Sequence, residues 1–151
     1  MRITRLMLTA LVFGALVLAC TPGNLSSETP GSAEALIRAL RAQGLEPQTG
    51  GTIEQEFFSV SGQVIKIENA TIQIFEYADR EARSTHSALI SEHGSSIGTT
   101  MVTWIDTPHF WAQDRIIVLY VGSNQSIVDA LTQILGQPLA TGAGTAASEQ
   151  P

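Results

Sequence analysis

The segment Gly94-Ser95-Ser96-Ile97-Gly98 fits the G-x-S-x-G pattern, in which a sharp turn lifts a serine hydroxyl for attack on an acyl carbon. Asp106 and His109 follow in the order of one kind of hydrolase triad. That chemistry needs a strand before the serine and a helix after it. Here a helical pattern precedes and a strand pattern follows, and Asp106 and His109 would both have to project from one small turn. The segment therefore reads as a helix stop and connecting loop, with Ser96 kept as the nucleophile of an alternative hydrolase reading. His86 and His93 lie on one predicted helix, two turns and about 10 Å apart at ~1.5 Å rise per residue, too far to share an ion. With no carboxylate at a ligand spacing, no metal site or cofactor is expected; His93 is expected to stabilise the helix C-terminus and His86 to border the core. Gly142-Ala143-Gly144 is followed by no helix, so it makes no phosphate loop.

One constellation remains. Trp104, His109, Phe110 and Trp111 bracket the turn Asp106-Thr107-Pro108 and put both tryptophans on one hairpin. Large amphipathic rings beside a loop make a partner-binding surface, and the same rings also cap the open core of a half-covered sheet. Trp111, on a short strand read as near an edge, is expected to keep one face in water.

Three amphipathic helices and six strands must position these residues. Ser32 caps a first helix that Gly44 stops, with Leu36, Ile37 and Leu40 on one face. Asp79 caps a second, expected to run to His93 before Gly94. The third spans 124–135, with Ile127, Val128, Leu131, Ile134 and Leu135 as its stripe, Gly136 as its stop and Pro138 beyond. Strands are expected over 56–60, 63–68, 71–77, 99–105, 109–112 and 115–121, rich in β-branched or aromatic residues and bounded by turn formers. Residues 116–121 are apolar throughout and so should be covered on both sides or lie at the sheet centre. The order predicts an α+β two-layer sandwich, with helices against a largely antiparallel sheet. Its two halves share a strand-strand-strand-helix plan, which an internal duplication or coincidence would equally produce.

The N-terminus has the grammar of an export signal: Arg2 and Arg5, an apolar run over 6–18, then small Ala19 before Cys20. The run is shorter than the ~20 residues a membrane-spanning helix needs. Val17-Leu18-Ala19-Cys20 resembles the lipobox of bacterial lipoproteins. The resemblance implies cleavage before Cys20, a diacylglyceryl thioether on its sulfur and often an acyl group on its amine. It also implies, with Thr21 next, the outer membrane of a two-membrane cell or the outer face of the plasma membrane in a cell with one. Cys20 is the one cysteine, and lipidation removes the hazard of an unpaired thiol in an oxidising compartment. The expected organisation is a signal peptide over 1–19, lipidated cysteine and tether over 20–31, one domain over 32–140 and a polar tail over 141–151.

Of the 8 Lys and Arg, cleavage removes Arg2 and Arg5, leaving six against 14 Asp and Glu, a formal balance of −8. Those six are scattered, so no basic patch exists to neutralise phosphates, and nucleic acid is not an expected partner. The expected partners are the membrane, through Cys20, and an envelope protein, peptide or glycan. The domain resembles small bacterial lipoproteins, a likeness that carries an address and no chemistry. The leading expectation is a non-catalytic envelope binding module; the alternatives are a small hydrolase using Ser96 and a carrier of an apolar ligand between sheet and helices.

Overall fold

The computed structural model describes residues 29–144; the signal segment and Cys20 lie outside the described residues. The elements run α1 (Ala33–Ala42), β1 (Gln48–Ile53), β2 (Gly62–Ile67), β3 (Ala70–Glu76), α2 (Arg80–Ser87), β4 (Ser96–Ile97), β5 (Thr100–Met101), β6 (Pro108–Gln113), β7 (Ile116–Val121), α3 (Gln125–Leu135) and β8 (Ala140–Thr141). Six strands form one antiparallel sheet in the order β1-β2-β3-β7-β6-β8, and β4 and β5 make a separate hairpin. The fold is α+β, as the patterning predicts. Among the described residues, no helix is long and apolar enough to cross a membrane.

Helix starts follow local chemistry. Ser32, Asp79 and Asn124 each accept a backbone N–H of the first turn, from Ala35 at 3.2 Å, Ala82 at 2.8 Å and Ser126 at 3.1 Å, satisfying donors that have no intrahelical acceptor. The inward residues Leu36 and Leu40 of α1 and Ile127, Leu131 and Leu135 of α3 then pack on Ile65, Ile72, Ile74, Ile116 and Val118 of the sheet. Strand side chains alternate between faces, so Ile117 and Leu119 point the other way, among Phe58, Phe75, Phe110 and Ile97. Burial on both faces is why β7 is apolar at every position. The second face is covered by α2, the β4–β5 hairpin and the loop carrying Phe57 and Phe58, which adds cover to the sandwich that α1 and α3 make on the first.

Four local expectations are corrected. β1 forms from the polar run Gln48–Ile53 as an exposed edge strand, whereas 56–60 is a loop that turns Phe58 onto Phe75 with ring centroids 4.4 Å apart. Within 99–105 only Thr100 and Met101 pair, with Ile97 and Ser96. α2 stops at Ser87, because Ile90 is drawn into a bridge with Ile97 instead of continuing the helix. The shared plan of the halves is confined to the hairpins β2–β3 and β6–β7, which meet across the β3–β7 seam. Beyond them the halves differ. β1 is a six-residue edge with a bulge, its counterpart place is held by two-residue β8, and α2 and α3 lie on opposite faces.

The two ends of the sheet differ in chemistry. Where the chain enters, Gly31 packs against Asp114 in the β6–β7 turn, and Ala33 donates its N–H to Glu76 Oε2 at 2.9 Å. Arginines gather there. Arg115 pairs with Glu76 at 2.7 Å and Arg80 with Asp114 at 3.1 Å, Arg83 donates to the Asp114 carbonyl at 2.9 Å, and Arg38 lines the same recess as Asp114 and Arg115. At the far end of β6 and β7, about 17 Å along the strands at ~3.3 Å per residue, Gly122 donates to the Thr107 carbonyl at 2.9 Å and Gly142 to that of Pro108 at 3.0 Å.

Candidate functional site

The four aromatic-cluster residues lie on two faces of the sheet. His109 and Trp111 project toward α3, and Phe110 projects to the opposite face. Phe110 and Trp111 are both 0% exposed and His109 is buried, so these three are core and not a partner-binding surface. The physical reason is that β6 is not the last strand: β8 pairs with His109 and Phe110, and α3 lies over the Trp111 side. Of the cluster, Trp104 alone reaches the surface, half-buried.

His109 stacks on Tyr120 (5.9 Å, 15°) and on Trp111 (5.9 Å, 25°). Its Nε2 lies 3.2 Å from the Gly122 carbonyl. A carbonyl can only accept, so Nε2 carries the proton and Nδ1, which has no partner among the described residues, is the bare nitrogen. Burial pushes the imidazole below its ordinary value of 6.5, opposed by the Gly122 hydrogen bond and the charge of Asp106.

No triad assembles from Ser96, Asp106 and His109. Ser96 sits in the hairpin packed on the face away from which His109 points, its backbone held by Ser91, and Asp106 caps the Thr107 N–H at 2.6 Å. Gly94-Ser95-Ser96-Ile97-Gly98 is a turn and a short strand, with Gly98 at φ 59° opening the two-residue link to β5. One serine and histidine do meet, Ser59 Oγ and His86 Nε2 at 2.8 Å. The His86 ring stacks on Tyr77 at 4.9 Å and, among the described residues, no carboxylate orients its Nδ1, so the pair pins the 54–61 loop to α2. Burial pushes the neighbouring Tyr77 hydroxyl up to about 12. His93 falls beyond the end of α2, so it caps no helix. Among the described residues, no group of three His, Cys, Asp or Glu side chains could hold a metal ion.

The cleft at this end of the molecule is built on Trp104. Its indole Nε1 donates to the Gly94 carbonyl at 2.7 Å, and its ring meets Phe110 (5.7 Å, 71°) and Phe57 (6.2 Å, 73°) edge to face. Gly94 is required twice over: its φ is 62°, and a Cβ there would stand 2.7 Å from the Phe110 ring. Gly142, likewise too close to the His93 carbonyl and Pro108 for any side chain, carries the chain past to Ala143. His93, Ser95, Val102, Thr103, Trp104 and Ala143 thus enclose about 520 Å³. No family model matches the chain, no curated protein matches its sequence and no solved structure matches its fold.

Beside this cleft, the side chains of Ile105 (85% exposed) and Met101 (78%) are exposed. Beyond Ile105 a second cleft of about 460 Å³ holds Asn69, Thr71, Asp106, Ser123 and Asn124. Among the described residues, neither cleft is lined by Lys or Arg. Sequence reasoning found Trp104 but missed His93, Ser95, Thr103 and Ala143, which were read as helix end, loop, strand and tail. A signal was present in Gly142, a residue able to pass close to other backbone where an ordinary tail would have no such need.

Proposed function

We propose that this chain is a lipid-anchored envelope module whose domain binds a partner at the end of the sheet far from its tether. The carrying observation is the polarity of the domain. The chain enters among arginines at one end of β6 and β7, while the clefts and the exposed Met101 and Ile105 lie at the other. With Cys20 lipidated, residues 21–31 would reach at most about 40 Å when extended, and two or three acyl chains hold a protein on a membrane effectively permanently. The entry end would then face the lipid and the end that carries the two clefts would face outward.

Two features weigh against the alternatives. Ser96, Asp106 and His109 do not meet, and the interface between α1, α3 and the sheet is occupied by core side chains where an apolar ligand would sit. The test has two arms. In cell fractions the protein should sediment with membranes and Cys20→Ser should not; continued sedimentation of Cys20→Ser removes the anchor. In native-envelope crosslinking, Ile105→Asp and Met101→Ser should reduce capture of a defined partner and Arg38→Ala should not. The reverse pattern puts the binding surface at the wrong end.

A further inference from the structure

We infer that the cleft beside Trp104 binds a neutral saccharide, with one sugar ring laid against the indole. The inference rests on the binding-module reading above and names its ligand. A pyranose has an apolar face of C–H groups and a rim of hydroxyls, so it needs a flat aromatic surface bordered by uncharged hydrogen-bonding groups. The cleft supplies both. Trp104 is fixed before any ligand arrives, because its N–H is already given to Gly94 at 2.7 Å and Phe57 and Phe110 meet its ring edge to face. Stacking on it therefore costs little side-chain ordering. Around it the Ser95 and Thr103 hydroxyls and the His93 ring offer donors and acceptors, and Val102 and Ala143 supply apolar contact.

Charge narrows the class. Among the described residues, no Lys, Arg, Asp or Glu lines this cleft, so a phosphate, an anionic glycan or a peptide terminus entering it would lose hydration with no counter-charge from them. A volume of about 520 Å³ falls within the range of about 300–1,000 Å³ usual for small-ligand sites. The binding surface also continues. Trp104 lines this cleft and the next residue, Ile105, lines the second, together with the Asn69, Thr71 and Ser123 side chains. Amides and hydroxyls running on from an aromatic platform suit a chain of several sugars better than a single ring.

The two tryptophans make the test selective, since Trp111 is buried on the other side of the sheet. Full-length protein in detergent micelles is titrated with the β-1,4-linked tetramer of N-acetylglucosamine and with cellotetraose, reading fluorescence and its quenching by acrylamide. Saturable protection of Trp104 is expected and should be retained in Trp111→Phe, while titration calorimetry, which needs no indole, should show binding weakened about tenfold or more in Trp104→Ala. Ala143→Phe places a ring in the cleft and should abolish binding while the indole stays in the protein, which covers the case in which Trp104→Ala fails to fold. Binding that survives both cleft variants overturns the inference. So does the absence of any response to either saccharide at millimolar concentration. If a protein is nonetheless captured through Ile105, the module reading stands and only its ligand is wrong; if nothing is captured, both fall.

Discussion

The two tryptophans sit seven residues apart in sequence and on opposite faces of the sheet, and they show how differently the faces are built. Trp111 lies under a helix, among isoleucines and leucines that approach from α1 and α3 with regular spacing. Trp104 lies on Phe110 of β6, and irregular chain brings it Phe57 and the Gly94 carbonyl. Helices cover a sheet evenly and leave little to bind. A face covered by irregular chain is closed where aromatic rings happen to meet and open where they stop, and the cleft lies at such a margin.

The largest expected effect tests the closed face. Trp111→Ala should destabilise by about 3–5 kcal/mol in urea unfolding, the loss typical of a buried aromatic; a change under 1 kcal/mol would mean that the helix face is not tightly packed. Gly94→Ala should cost about 2 kcal/mol, as a left-handed position and a crowded Phe110 ring both oppose the added methyl, and should shift Trp104 fluorescence as well. Trp104→Ala should cost only about 1–2 kcal/mol, because the ring is half-buried. Ile105→Ser should stay within ~0.5 kcal/mol, so any larger loss would show the far end to be core.

Acid should sharpen the contrast, through His109. Its folded-state value lies below 6.5, so as pH falls the unfolded chain takes up the proton first. The stability that neutral His109 confers is present above about pH 6.5 and is lost as pH falls through the lowered value. Proton uptake at Nδ1 would place a donor where no acceptor stands. Asp106 is the charged group near the ring, while Asp129 on the overlying helix is exposed and bonded to Gln125. Urea midpoints measured from pH 7.5 to 5 should fall less in His109→Gln than in the parent. Equal falls would assign the acid sensitivity elsewhere.

What could be read in the sequence was what depends on neighbours along the chain. The caps Ser32, Asp79 and Asn124, the stop at Gly136 and the doubly covered β7 all follow from local residue chemistry. β1 was illegible because Gln48-Thr49-Gly50-Gly51-Thr52-Ile53 has no apolar period and becomes a strand only by pairing with β2. Phe57 and Phe58 suggested a strand because aromatics favour one, yet here they fold over the sheet instead of joining it. Trp111 was misplaced for a related reason: a short strand reads as an edge, and nothing local to it announces that β8 will arrive from thirty residues further on. The polar composition of the tail concealed that Thr141 pairs with His109 and that Ala143 lines the cleft. The Trp104 cleft draws on five separated stretches of chain, which no pattern along the sequence can bring together.

The seam between β3 and β7 sets the order in which the chain can fold. Each hairpin closes across a two-residue turn, but joining Glu76 to Ile116 must first bring together points forty residues apart. Loop closure on that scale costs about 2 kcal/mol more than closing four residues. The hairpins β2–β3 and β6–β7 should therefore exist as fluctuating units before they meet, and their encounter should set the folding rate. Substitutions along the seam should then slow refolding, whereas those around the Trp104 cleft, completed afterwards when β8 docks, should chiefly speed unfolding.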